Sequence, residues 1–260
     1  MEKALVVLSG GQDSTTCLFW AKQQGWEVHA VTFDYGQRHR LEIQSALRIA
    51  ELASVKSMEV VRLGAILVGS SPLISGNLLE QYKDHSSLPG GLEKTFVPMR
   101  NQLFLTVAAN RAAVIGATRL VTGVCEEDYG GYPDCRRNFI LALQVACNLG
   151  TFTGEPGAPQ PLQIETPLMN LTKAQSVELA MELPGCYEAL AYSHTAYDGI
   201  YPPTGRDHAS LLRAKGFEEA GIPDPLVLRA WMTDAMDLPS TVNYGQDIVK
   251  KYAALLGKVS

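Results

Sequence analysis

The stretch Ser9-Gly10-Gly11-Gln12-Asp13-Ser14 constrains this chain more than any other. It follows the apolar run Ala4-Leu5-Val6-Val7-Leu8 and leads into Thr15-Thr16-Cys17-Leu18-Phe19-Trp20-Ala21, which reads as the start of a helix. A buried strand, a Gly-rich turn and a helix N-terminus in that order make an anion site. The N–H groups of the turn point at the ligand, and the helix dipole favours negative charge there. Gly10 and Gly11 let the main chain approach phosphate oxygens and reach positive φ without a Cβ clash. Ser9, Ser14 and Thr15 add hydroxyl donors. A strand–turn–helix junction with incidental glycines is the bland alternative, but it leaves the hydroxyls and Asp13 without a purpose. The stretch is neither a Walker A loop, since no lysine follows the glycines, nor a dinucleotide-type Gly-x-Gly-x-x-Gly.

The rest of the chain supplies the sheet that such a turn needs. Apolar or alternating runs at 3–8, 27–33, 57–63, 119–123 and 162–168 read as strands. Helical patterns at 13–24, 40–52, 102–115, 137–149 and 172–183 fall between or after them. This alternation predicts an α/β fold, a doubly wound parallel sheet with right-handed crossovers and ligands at the carboxyl ends of the strands. Residues 64–94 read as a long loop over the site edge, 151–161 as a Gly/Pro loop, 211–217 as a short basic helix and 246–256 as a last helix. The expected division is a nucleotide-binding unit at 1–185 and a C-terminal extension at 186–260.

Composition narrows the function classes. With 260 residues, a 46% hydrophobic fraction and a net charge of −5, the chain has a sizeable core and no general polyanion-binding surface, so no direct nucleic-acid role is expected. No apolar run spans a bilayer, and Met1-Glu2-Lys3 runs straight into the first strand without a signal peptide. The five cysteines, with no C-x-x-C pair, argue for free thiols in a reducing compartment, the cytoplasm by default.

Several residues stand where the predicted strand edge would expose them. Asp34 and Tyr35 follow the second strand, where a base or ribose contact and a solvated turn are equally good readings. Arg100 opens a helix beside the strand edge, favouring an anion contact over a surface ion pair. The segment 123–136 is dense in acids, tyrosines and glycines and suits a planar, nitrogen-rich heterocycle; its scattered acids are weak evidence for a metal site. Thr172 is a helix N-cap, and Lys173 just inside it is either a phosphate contact or a solvated first-turn lysine.

Ser-Gly-Gly-x-Asp-Ser resembles the PP-loop of the N-type ATP pyrophosphatases, which hold the pyrophosphate of ATP while a carbonyl or carboxylate oxygen is adenylated. Longer segments resemble one family within that group, the 7-cyano-7-deazaguanine synthase (QueC) family. They are residues 9–18, Val31-Thr32-Phe33-Asp34-Tyr35-Gly36-Gln37-Arg38-His39, Thr95-Phe96-Val97-Pro98-Met99-Arg100-Asn101, residues 122–136 and Glu165-Thr166-Pro167-Leu168-Met169. The resemblance runs from the N-terminus to about Gly221. It implies that 7-carboxy-7-deazaguanine is activated by ATP, that ammonia displaces AMP to give an amide, and that a second activation dehydrates the amide to the nitrile. ATP and Mg2+ are the implied cofactors. The nucleotide is expected on Leu8, Ser9, Gly10, Gly11, Gln12, Asp13, Ser14, Thr15, Thr16, Cys17 and Leu18, with Thr32 and Phe33. Asp13, Ser14, Lys173 and Arg100 are the expected catalytic contacts to phosphate or carboxylate, and Glu126, Asp128, Tyr132 and Asp134 the expected contacts to the deazaguanine. A homodimer is left open.

One departure from the family is large. Its structural zinc is held by four cysteines, and Ala196, Thr204, Asp207 and Ser210 stand at those positions here. Alanine and threonine do not ligate zinc in the usual way, so zinc is doubtful, no residue is assigned to a metal cluster, and packing is expected to replace it. The family's Lys-Ala-Glu also becomes Lys173-Ala174-Gln175. Two rival readings follow. The enzyme stops at the amide or couples the deazaguanine to another amine, or the chain is a nucleotide-binding partner protein without catalysis.

Overall fold

The computed structural model describes residues 1–37, 40–67, 69, 71, 73, 80–84, 94–126, 132–151, 155, 157–158, 160–196 and 199–257. Five parallel strands, β1 (Lys3–Val7), β2 (Glu27–Asp34), β3 (Ser57–Arg62), β4 (Arg119–Val121) and β5 (Gln163–Glu165), lie in the order β3-β2-β1-β4-β5. The order reverses at β1, which pairs with β2 on one side and β4 on the other. That switch point opens a crevice at the carboxyl ends of these strands.

Side-chain alternation divides the core between the two faces of the sheet. From β1, Ala4 and Val6, with Leu8 just beyond, join one cluster, while Leu5 joins the other. The first face is covered by α1 (Gln12–Gln23), α2 (Leu41–Leu52), α5 (Lys173–Glu182), α6 (Cys186–Leu190) and α7 (His208–Glu219), through residues such as Leu18, Ile49, Val177, Leu190 and Phe217. The second face is covered by α3 (Arg100–Ile115) and α4 (Arg137–Thr151), through Leu105, Ala108, Ala112, Ile140 and Leu143. The doubly wound α/β sheet expected from the sequence is therefore the observed architecture.

The C-terminal part is more helical than the sequence suggests. The basic helix expected at 211–217 runs as α7 from His208 to Glu219, because Asp207 accepts from the Ser210 N–H at 3.1 Å and caps it. Two helices, α6 and α8 (Pro225–Met232), are not marked by the sequence pattern. The last helix, α9 (Gln246–Leu256), falls where expected, and its Tyr252 ring lies 5.3 Å from that of Tyr187 in α6. Residues after 186 thus share one apolar cluster with α1 and the sheet. Most of the expected loop at 64–94 lies outside the described residues. No described helix is long and apolar enough to cross a membrane.

Candidate active site

A cavity of about 370 Å³ sits at the switch point, within the size range of small-ligand sites. Its floor is the Gly-rich turn. Gly10 has φ +87°, and a Cβ there would lie 2.3 Å from the Glu42 carbonyl oxygen and 2.8 Å from the Ala46 nitrogen. Only glycine allows the turn to pack against α2 this closely. The turn is braced by its own hydroxyls. The Ser9 N–H donates to Ser14 Oγ at 3.2 Å, the two serine Oγ atoms are 3.0 Å apart, and the Gly11 N–H donates to Ser9 Oγ at 3.3 Å. Gly11 caps α1 without a side chain, so the first turn of the helix opens toward the cavity with its N–H groups unclaimed by a cap. Gly123, after β4, completes the cradle, since a Cβ there would lie 3.0 Å from the main chain of Asp13 and Ser14.

The charged groups at this floor come from distant parts of the chain. Lys173 opens α5, where the Thr172 hydroxyl accepts from the Gln175 N–H and the Gln175 side chain accepts from the Thr172 N–H. That capping box is the use the structure makes of Gln175. It fixes Lys173, whose Nζ donates to Asp13 Oδ2 at 2.7 Å. Asp13 Oδ1 is buried and accepts no hydrogen bond from a described residue, and the Gln12 amide nitrogen is likewise buried without an acceptor. Both residues line the cavity. Turn amides, two serine hydroxyls, a lysine and an unclaimed carboxylate oxygen fit a polyphosphate with a divalent cation.

Most of the expected nucleotide residues meet here. Leu8, Ser9, Gly11, Gln12, Asp13, Ser14, Thr32 and Phe33 all line the cavity, as do Lys173 and Arg100. Gly10 lies under the floor. Thr15, Thr16, Cys17 and Leu18 turn away from it. The Thr15 and Thr16 hydroxyls donate back to the Gly11 and Gln12 carbonyls at 2.7 and 3.1 Å, and Cys17 and Leu18 are core residues. They lie deeper along α1, which is buried on nearly every side from Gln12 to Ala21, so only its first turn reaches the cavity.

The expected substrate residues divide in the same way. Tyr132 lines the cavity, with its hydroxyl 2.6 Å from that of Thr95 and its ring 5.3 Å from Phe96. Glu126 also lines it, while its Oε1 accepts the Arg137 N–H at 2.6 Å at the start of α4. Asp134 is placed differently. It is buried, and its Oδ2 accepts the Asn101 N–H at 3.2 Å in the first turn of α3. Burial pushes its carboxyl up, against the pull of that hydrogen bond and of Arg100. Asp134 is a brace for α3 rather than part of the cavity wall. Asp128 lies outside the described residues. Tyr35 faces the cavity, whereas Asp34 accepts the Gly36 N–H in its own turn.

Arg100 is aimed by an unusual backbone. Met99, the N-cap of α3, has φ 65°. A non-glycine residue in that region costs roughly 1–2 kcal/mol. Such strain persists where the surrounding structure holds it, often at ligand sites. Two more cavity residues, Glu42 and Arg213, carried no expectation from the sequence. Glu42 left one signal. It stands in register with Ser45, Ala46 and Ile49, so it is an acid on the buried stripe of α2.

Arg213 belongs to the C-terminal wall. Its guanidinium meets Asp224 with Nε–Oδ2 2.6 Å and Nη2–Oδ1 2.8 Å, and both side chains are only 5% exposed. Nη1 donates to Ser193 Oγ at 2.7 Å and to Thr195 Oγ1 at 3.0 Å, and Nη2 to the Leu190 carbonyl at 3.3 Å. The same segment reaches the floor, where the His194 N–H donates to the Gly10 carbonyl at 2.8 Å.

The zinc that the resemblance implies does not fit these residues. Ala196 is buried and has no donor atom, and both Asp207 carboxylate oxygens are engaged by Ser210, through its N–H at 3.1 Å and its hydroxyl at 2.6 Å. Among the described residues no three His, Cys, Asp or Glu side chains are grouped to hold a metal.

Known proteins match this chain over most of its length. The family model described as Queuosine biosynthesis protein QueC matches residues 3–221, stopping before α8 and α9. The 7-cyano-7-deazaguanine synthase of Gloeobacter violaceus is 50% identical over 228 residues, 87% of this chain and 96% of that protein. The synthase of Chromobacterium violaceum is 50% identical over 232 residues, covering 88% and 94% of the two chains. That of Laribacter hongkongensis is 47% identical over 232 residues, covering 88% and 95%. Carrying the whole of that match along with its Gly-rich turn, the chain belongs to the QueC family of queuosine biosynthesis proteins.

Proposed function

We propose that this chain converts 7-carboxy-7-deazaguanine and ammonia to 7-cyano-7-deazaguanine at the expense of ATP. The observation that carries the reading is the Gly-rich cradle with its Asp13–Lys173 pair at the floor of one cavity. The identity to relatives named for that synthase supports it. Residues 1–185 supply the nucleotide unit, and 186–260 supply the wall that carries Arg213.

A carboxylate oxygen is a poor leaving group, and attaching AMP makes it a good one. The amides of the turn with Ser9 and Ser14 bind the pyrophosphate portion of ATP. Asp13 Oδ1 would hold Mg2+, which supplies charge neutralisation of the phosphates. Lys173 reaches the same oxygens and orients Asp13. Thr32 and Phe33, at the end of β2, border the place for adenosine. Arg100 holds the substrate carboxylate toward the α-phosphorus, and Tyr132 with Glu126 borders the heterocycle. Walls from both ends of the chain exclude water, which would otherwise hydrolyse the activated carboxylate.

The test is mass spectrometry of the product formed from 7-carboxy-7-deazaguanine, ammonium and Mg-ATP. The expected product is the nitrile. Amide alone would leave an amide-forming enzyme, and ATP binding without turnover would leave a binding protein.

A further inference from the structure

The proposed reaction needs a proton acceptor that the residues above do not supply. At each stage the same nitrogen loses a proton. Ammonium must become ammonia before its lone pair can attack. As the C–N bond forms, the C–O bond to AMP breaks, AMP takes the electron pair, and the nitrogen gives up a second proton. In the second round the amide oxygen bonds to the α-phosphorus of another ATP, pyrophosphate leaves with its electron pair, and an N–H proton is lost. The C–O bond to AMP then breaks, the last N–H proton leaves, and the nitrile remains.

Among the described carboxylates that line the cavity, Asp13 is tied to Lys173 at 2.7 Å, and Glu126 is tied to the N-terminus of α4 at 2.6 Å. Glu42 is the third. It stands in the first turn of α2, half-buried, with its main chain against the Gly10 turn. Among the described residues, the groups that act on its charge are Arg100 from the start of α3 and Tyr35 just past the end of β2. Three elements thus meet at one wall, and Arg100, the expected carboxylate contact, is on it.

We propose that Glu42 is the proton acceptor for the nitrogen nucleophile, a role that rests on the synthase reading above. Burial raises its carboxyl from the usual range to about 7, with Arg100 pulling the other way. A base poised near the working pH combines enough ionised form with enough basicity. Arg100 holds the carboxylate being activated, and Glu42 beside it receives protons from the atom that attacks that carbon.

The test separates proton transfer from binding. In Glu42→Gln, amide formation from ammonium at pH 7 is expected to fall about 10²-fold. Single-turnover pyrophosphate release from ATP and 7-carboxy-7-deazaguanine without ammonium should stay within about threefold of the unaltered protein. Hydroxylamine, uncharged at neutral pH, should trap the activated carboxylate equally well in both. Glu42→Asp, which keeps a carboxylate, should retain a pH-dependent limb with ammonium. Amide formation within about threefold of the unaltered protein would overturn the assignment. So would an equal loss of pyrophosphate release and hydroxylamine trapping, or a limb that survives in Glu42→Gln and disappears in His208→Gln, which alters an imidazole that also lines the cavity. If the unaltered protein makes no nitrile or amide at all, the synthase reading itself fails.

Discussion

At the Gly-rich turn the path of the main chain sets the geometry, and the Ser9 and Ser14 side chains brace it. Gly10 packs where no Cβ fits, Ser9 and Ser14 hold each other, and Gly11 leaves the helix N-terminus open. Around α7 the arrangement is inverted. The main chain is ordinary helix and loop, and a buried side-chain pair, Arg213 with Asp224, ties together Leu190, Ser193 and Thr195. Both regions hold walls of one cavity, and the His194–Gly10 hydrogen bond joins them. A main-chain solution demands glycine and small hydroxyls at fixed spacing, so it writes a motif into the sequence. A buried ion pair demands only one cation and one anion that happen to meet, so it writes none.

The sharpest way to break this contrast is to remove Asp224. Asp224→Ala leaves the Arg213 guanidinium buried without its counter-charge, and about 3–5 kcal/mol of stability should be lost in denaturant unfolding. A loss well under 1 kcal/mol would mean that the C-terminal wall is held by apolar packing instead. Asp13→Ala should do the reverse. Turnover should fall about 10²–10³-fold, or ~3–4 kcal/mol of transition-state stabilisation, while the melting temperature barely moves. Near-normal turnover would remove Asp13 from the phosphate site.

A smaller effect separates the two regions by pH. Glu42 is raised from 4.5 to about 7 in the folded state, so it supports stability fully below pH 4.5 and loses that support as pH rises to about 7. Above that window the fold carries a half-buried charge. Glu42→Gln should therefore gain stability relative to the unaltered protein at pH 8 compared with pH 5, by about 1–3 kcal/mol. Unfolding curves at both pH values check this, and an unchanged difference would show that the carboxyl titrates as if in water.

How much of this was legible follows from the same contrast. The strands and α1–α5 were readable because the central strands are near-continuous apolar runs, the edge strand β3 alternates, and the helices between them keep a helical period. Thr172 was readable as a cap because the signal is local. The pairing of Asp134 with Asn101 is not local, so an acid among acids and aromatics looked like a ligand contact. The helix α6 has five residues, too few for a period to show. In α7 the buried Arg213 breaks the apolar stripe and hides the length of the helix. Asp224-Pro225, an N-cap followed by proline at the first helical position, was a readable start for α8 that the Pro- and Gly-rich surroundings obscured. Glu42 was visible only as an acid on an apolar stripe, a pattern that marks either a mistake in the period or a functional group.

The smallest expected effect is the most informative about the C-terminal wall. A structural zinc joins its ligands by bonds that chelation removes, and a fold that depends on it unravels with the metal. Here two of the four positions that the family fills with cysteine instead form a helix cap. The Asp207 carboxylate holds both the Ser210 N–H and its hydroxyl, a contact worth about 0.5–2 kcal/mol. Ala196 fills space at a third position. A cap of this kind is indifferent to metal, so incubation with a strong zinc chelator should leave the melting temperature unchanged, and added zinc should not raise it. Asp207→Ala should lower stability by the amount of one cap, with or without chelator. A chelator-induced loss that zinc reverses would mean that cation ligands come from elsewhere in the chain, and the contrast between a main-chain floor and a side-chain wall would need a metal on its second side.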